Sequence, residues 1–249
     1  MPPINLIINA DDLGISRQVN DAVFDLVAAR RISSATVMAN APELLHAAAN
    51  LRRFPDCSFG AHLNLTQFEP LTSGPGAKLL SESGGMLSRN ITRATPTPAL
   101  LQAIYDELCA QVDRLISLDV PISHFDSHHH VHTTPCVFPV LKALQKRYRI
   151  RKVRLSKNLY APGESCPPAL QWKKWAFNWA IRRIYRTETT DRFTELLSFC
   201  RLGHSIACRS VELMVHPGAS YSAEETAILN SDWLESQAGH LISYRQLAA

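Results

Sequence analysis

The chain has 249 residues, enough for one large core or two modest ones, and its 46% hydrophobic and 19% charged content is that of an ordinary globular protein. A net charge of +4 is small for this length. The mild basic concentrations at 147–154 and 173–192 read as surface faces, with no nucleic-acid-binding module beside them. No apolar run approaches the ~20 residues needed to span a bilayer. The N-terminus lacks the basic-then-apolar pattern of a leader, so a cytoplasmic location is expected. The six cysteines form no CxxC pair, and buried free thiols are the expectation.

Taken in order, Ile4 to Asn9 is a short apolar run suited to a strand covered on both faces. Asp11-Asp12-Leu13-Gly14 is expected to break it, before Val19, Val23, Leu26 and Val27 follow helical spacing. Ala35 to Ala39 reads as a second strand and Pro42 to Phe54 as its helix. From Ser58 to Thr66, Phe59, Ala61, Leu63 and Leu65 alternate with Gly60, His62, Asn64 and Thr66, a period of two. A polar face on an inner strand needs a purpose, because unpaired buried polar groups are costly.

Gln67 to Pro98 reads as a long loop with room for short strands, of a length that is often functional. Ala99 to Leu118 is a helix and Ile122 to Asp126 the next strand. Thr134-Pro135 reads as the N-cap and first residue of a helix reaching Tyr148. Lys152 to Leu155 is a strand. Trp172, Trp175, Phe177 and Trp179 lie on a helical stretch within a less regular segment, and core packing is their expected role. Ser210 to Val215 is a strand, and one helix is expected over Ala223 to Gln237. The alternation points to a single domain over residues 1–249, of α/β class, with a barrel or barrel-like, predominantly parallel sheet.

Four of these strands end in ionisable residues: Asp11-Asp12, His62, the cluster His128-His129-His130-Val131-His132 after Asp126, and His216. Parallel strands would bring their C-terminal ends to one face. Singly, each has a plain reading: a turn and helix cap for the aspartates, a structural histidine for His62, a strand end for His216. Together, two imidazoles and a carboxylate form a three-ligand set for a catalytic divalent metal. A second carboxylate would deprotonate water and a separate histidine would protonate a leaving group. Those are the parts of metal-assisted hydrolysis of an amide or ester.

Asn9-Ala10-Asp11-Asp12-Leu13-Gly14, Gly60-Ala61-His62-Leu63-Asn64-Leu65-Thr66, Asp126-Ser127-His128-His129-His130-Val131-His132 and Glu212-Leu213-Met214-Val215-His216-Pro217-Gly218 occur in the order seen in a known family. The chain resembles the YdjC-like carbohydrate deacetylases, among which is a chitooligosaccharide deacetylase. The resemblance implies a deformed, TIM-barrel-like (β/α) barrel and removal of an acetyl group from an N-acetylated sugar, with metal-bound water as nucleophile. It further implies Asp12, His62 and His128 as ligands of one divalent metal ion, Asp11 as general base and His216 as general acid. Asp126 and His132 are expected to orient these groups.

The family implies magnesium, whereas two imidazoles suit zinc, cobalt, nickel or manganese. The implied substrate is a chitooligosaccharide or another molecule containing an N-acetylhexosamine, and the implied assembly a homodimer. Another metal-dependent esterase or phosphoesterase on the same barrel is the alternative, as is a non-catalytic metal- or sugar-binding homologue. The latter would not need Asp11 beside Asp12.

Overall fold

A computed structural model of the chain describes residues 3–82, 85–202, 206–237 and 239–247. Its centre is one parallel sheet. In chain order its strands are β1 (Ile4–Leu13), β2 (Ser34–Val37), β3 (Ser58–Leu63), β4 (Ile122–Ser127), β5 (Arg192–Glu195), β6 (Ser210–Val215) and β7 (Gly239–Leu241). The spatial order is β4-β3-β2-β1-β6-β5. β6 runs along β1 from Asn5 to Ala10, while β2 pairs with β1 over Asn9–Leu13 and β7 over Ile4–Leu6.

The two edge strands are joined by the segment after residue 150. Phe125 N–H donates to the Lys152 carbonyl and Arg154 N–H to that of Phe125. Val153 N–H donates to the Glu188 carbonyl and Glu188 N–H to that of Arg151. Isolated bridges carry this segment from β4 to Glu188, and Asn158 N–H donates to the Phe193 carbonyl of β5, so irregular backbone rather than a regular strand lies between the sheet's two edges. The expected strand at 152–155 is reduced to this pair of bridges.

The helices are α1 (Arg17–Ala28), α2 (Leu44–Leu51), α3 (Gly74–Leu80), α4 (Pro98–Ser117), α5 (Phe138–Tyr148), α6 (Pro168–Arg183), α7 (Leu196–Cys200), α8 (Ala223–Leu229) and α9 (Trp233–Ser236). Ser16 caps α1 by accepting from Val19 N–H, and Thr97 caps α4 by accepting from Leu100 N–H, with Pro98 at the first helical turn where its missing donor costs nothing. Strand and helix residues bury a continuous core that includes Leu6, Ile8, Val23, Phe59, Leu108, Phe125, Leu141 and Leu213.

Several expectations shift. β1 does not break at the aspartates; it runs through them. α5 starts at Phe138, with Pro139 rather than Pro135 in its first turn, because Thr134 instead closes a 3-10 turn over His128–Thr133 and bonds back to the Val131 carbonyl. The 67–98 stretch holds α3 and a 3-10 turn at Arg89–Arg93 rather than strands. The last helix is two, broken after Leu229. Trp172, Trp175 and Trp179 lie exposed, and only Phe177 of that group is core: the aromatic stretch spans both faces of α6, and a single residue points inward. Among the cysteines, Cys57, Cys109 and Cys136 are buried, whereas Cys166, Cys200 and Cys208 are half-buried; all six are free.

Candidate metal centre

Between Ala10 and Leu13, three steps along β1 face two along β2, from Ala35 to Val37. The extra residue makes a β-bulge at Asp11-Asp12, and Asp12 takes a left-handed backbone, φ 66°. Such bulges re-aim side chains, and left-handed aspartate is a strain met at functional sites. Asp12 Oδ1 lies 3.2 Å from His62 Nε2 and 2.9 Å from His128 Nδ1. One donor atom from each of the three lies within 4.8 Å of the others. Asp12 Oδ1 is nevertheless buried without a hydrogen bond, because neither ring N–H vector is aimed at it.

The opposite ring nitrogens explain this. His62 Nδ1 faces Asp126 Oδ1 at 2.8 Å, and His128 Nε2 faces Gln67 Oε1 at 2.7 Å. A carboxylate and an amide oxygen can only accept, so each of those nitrogens donates. In the neutral rings this turns the Nε2 lone pair of His62 and the Nδ1 lone pair of His128 toward Asp12 Oδ1, where a cation or a proton must lie between them. Fixing a tautomer through the far nitrogen is how metal-binding imidazoles are held. Asp126 is itself held by Thr36 Oγ1 (3.0 Å) and Arg154 Nη1 (2.9 Å).

The electrostatics point the same way. Burial alone would raise the Asp12 pKa, yet the His128 and His62 imidazoles hold it well below the carboxylate range. Burial alone would lower that of His62, but Asp126, Asp12 and Asp11 raise it to about 10. Carboxylates on several sides of one buried imidazole demand positive charge here, and a proton or a divalent cation meets that demand.

Behind the triangle sits Arg154, wholly buried. Its Nη1 and Nη2 each donate to Asp11 at 2.6 Å, Nε donates to Glu212 at 2.7 Å, and its guanidinium lies 4.9 Å from the Phe193 ring centroid. Burial would raise the Asp11 pKa, but Arg154 holds it well below the ordinary value. Asp11, His62 and Asp126 also cluster within 4.8 Å, but the Arg154 guanidinium bonds both carboxylates. The pocket for a second ion is therefore filled by protein.

His132 does not touch the triangle. It faces Ser127 Oγ through Nδ1 and, through Nε2, the Arg154 carbonyl at 3.2 Å. His129 meets Thr66 Oγ1 at 2.8 Å and Arg89 of the 67–98 segment, which joins that loop to the site rim. His216 follows β6 directly; its N–H donates to Glu225 Oε2 at 2.8 Å, and its ring centroid lies 5.7 Å from that of Tyr221.

A model of the YdjC-like protein family matches residues 5–239. The chain belongs to the YdjC-like family. A carbohydrate deacetylase of Geobacillus stearothermophilus is 33% identical over an alignment covering 98% of each chain. A chitooligosaccharide deacetylase of Serratia marcescens is 37% identical over 139 residues, 55% of this chain and 54% of that one. The fold is shared with a protein of Enterococcus faecalis V583, provisionally described as a cellobiose-phosphate cleavage protein. It superposes with a TM-score of 0.78 at 22% identity, covering 99% of this chain and all of the other.

The parts of this YdjC-like site that the sequence pattern left out are those that hold others in place. Arg154 reads as an ordinary strand residue in Lys152-Val153-Arg154-Leu155, and Glu212 as one in Val211-Glu212-Leu213. A charged residue in an apolar inner strand was the available signal. Gln67, in a loop, gave none. Asn64 anchors it: Asn64 Nδ2 donates to the Gln67 carbonyl at 2.6 Å, and Gln111 from α4 bonds the Asn64 backbone.

Proposed function

We propose that this chain removes the acetyl group from an N-acetylated sugar by metal-assisted hydrolysis. The carrying observation is the convergence of His62 Nε2 and His128 Nδ1 on the unbonded Oδ1 of Asp12. The full-length similarity to a carbohydrate deacetylase supports the substrate class.

Asp12, His62 and His128 would hold one divalent ion, zinc or magnesium. A cation bound there supplies Lewis acidity, polarising a carbonyl and acidifying water. The remaining work falls to the protein. Asp11, kept ionised and oriented by Arg154, accepts a proton from the attacking water. His216 delivers a proton to the amine nitrogen as the C–N bond breaks, so that acetate and a free amino sugar result. Phe193 behind Arg154 and the 67–98 segment, joined through Gln67 and His129, exclude solvent from the network.

Among the described residues the second cluster, Asp11, His62 and Asp126, shares His62 with the triangle and has Arg154 across its carboxylates, which favours a one-ion site over a two-ion phosphoesterase. The test is acetate release from a panel of N-acetylated sugars and chitooligosaccharides, before and after chelation and re-addition of zinc or magnesium. Release that chelation stops and the ion restores is expected. Undiminished release from chelated protein would remove the metal from the proposal, and no release from any sugar would remove the substrate class.

A further inference from the structure

Helix α6 carries a surface that the hydrolytic site does not use. Trp172, Trp175 and Trp179, spaced three and four residues apart, form one outward stripe at 68%, 59% and 49% exposure. Aliphatic Leu170 and Ile184 are exposed at the same helix's ends. Three large aromatic side chains collected on one outer ridge mark an interaction surface, whereas Leu170 and Ile184 lie round the helix from it, toward the side of Phe177. The helix contains no acidic residue; Lys173 and Lys174 lie between the first two tryptophans and exposed Arg183 follows the third, whereas Arg182 is held by Thr189, Thr190 and Asp191.

The positive surface extends to both sides. Trp175 and Trp179 share the wall of a cavity of about 430 Å³ with Lys174, Arg183 and Arg192, and no carboxylate lines it. Past the helix end, Arg186 joins Lys142, Lys146, Arg149 and Arg151 around a second cavity of about 300 Å³, again lined by no carboxylate.

We propose that α6 docks this protein on an anionic bilayer surface, its three tryptophans entering the headgroup–acyl boundary and its lysines and arginines pairing with lipid phosphates. Trp with Lys and Arg on one helix is the composition of helices that lie in the membrane interface. Among the described residues no helix is long and apolar enough to cross a bilayer, so α6 lies on the membrane rather than spanning it. A second copy of the chain is a poor occupant, since a two-fold contact along an acid-free helix opposes cation to cation. A single-stranded nucleic acid would use the tryptophans for stacking, and its binding is one of the outcomes the test separates.

The test is co-sedimentation of the full chain with vesicles of phosphatidylcholine alone and of phosphatidylcholine mixed with phosphatidylglycerol. Binding to the mixed vesicles, a blue shift of tryptophan emission, and weakening in high salt are expected. The triple variant Trp172→Ser, Trp175→Ser, Trp179→Ser should lower partitioning at least about tenfold. Arg183→Glu should lower it at least about fivefold on anionic vesicles. All four positions are outside the core, and circular dichroism checks that the fold persists. Absence of wild-type binding to the mixed vesicles overturns the proposal, whatever the variants do. So does equal binding of the folded triple variant, binding to single-stranded oligonucleotide without binding to vesicles, or a Trp-dependent dimer that ignores vesicles.

Discussion

Arg154 grips Asp11 through both carboxylate oxygens, each at 2.6 Å, across 143 positions of sequence. The same guanidinium reaches Asp126 and Glu212. One fully buried cation therefore fixes the carboxylate proposed as base, the carboxylate that orients His62, and a third acid on β6. Arginine suits this place because its planar fork matches two oxygens at once and stays charged at all working pH.

Removing that cation leaves buried acids facing one another with no compensation. Arg154→Met is expected to lower unfolding free energy by about 3–5 kcal/mol, the cost of breaking a buried ion pair from one side. Arg154→Lys restores the charge but not the fork, and should fall between. Urea denaturation of the three proteins decides it; a loss below about 1 kcal/mol for the Met variant would show the network to be loosely coupled.

The proposed base and the proposed metal ligands should separate cleanly. Asp11→Asn keeps one accepting oxygen for Arg154 but cannot take a proton, so acetate release should fall about 10²–10⁴-fold while bound metal is retained. His128→Ala removes a donor from the triangle and should lower metal content itself. Elemental analysis of both variants beside their rates distinguishes the roles. Full activity in Asp11→Asn would exclude it as base, and an unchanged metal load in His128→Ala would exclude His128 as ligand.

The alternation of short apolar runs with helical periods made the parallel α/β barrel legible, and the ionisable strand ends marked its functional face. Local spacing says nothing about which strand neighbours which, so the partners of Asp11 are not legible: Arg154 and Glu212 are ordinary strand residues until the fold brings β1, β6 and residue 154 together. The tryptophans failed differently. Apolar character was read as burial, yet hydrophobic residues do not all lie inside, and the helical angle between Phe177 and its neighbours puts Trp172, Trp175 and Trp179 on the outer side. At Asp11-Asp12 turn propensity points to a strand end, whereas pairing with β2 carries the strand onward through a bulge to Leu13, after the β6 pairing has stopped at Ala10.

Gln67 tests whether orientation of a ligand matters apart from charge. Its amide oxygen fixes the His128 tautomer at 2.7 Å and contributes no ionic interaction to the triangle. Gln67→Ala is expected to weaken metal affinity about 10–100-fold, with the fold intact, because Gln67 is only half-buried. Gln67→Glu, which also accepts, should recover most of it. Titration with a competing chelator reads both; unchanged affinity in Gln67→Ala would mean that His128 is held by packing alone.

Glu212 supplies a pH test away from the metal ligands. Burial raises its pKa from 4.5 to about 7, although Arg154 and the Tyr244 hydroxyl both favour the ionised form. One arginine already committed to Asp11 and Asp126 cannot also neutralise a third carboxylate. Between 4.5 and about 7 the folded chain holds a proton that the unfolded chain has released. The associated stability is therefore complete below the lower value and lost as pH rises through the upper. Full ionisation costs on the order of 3 kcal/mol. Glu212→Gln cannot titrate, so whatever constant offset the amide brings, the difference in unfolding free energy should move in its favour by that amount between about pH 4.5 and about pH 8. Denaturant titrations of both proteins across that range measure the slope, and parallel curves would place Glu212 among the ionised acids throughout.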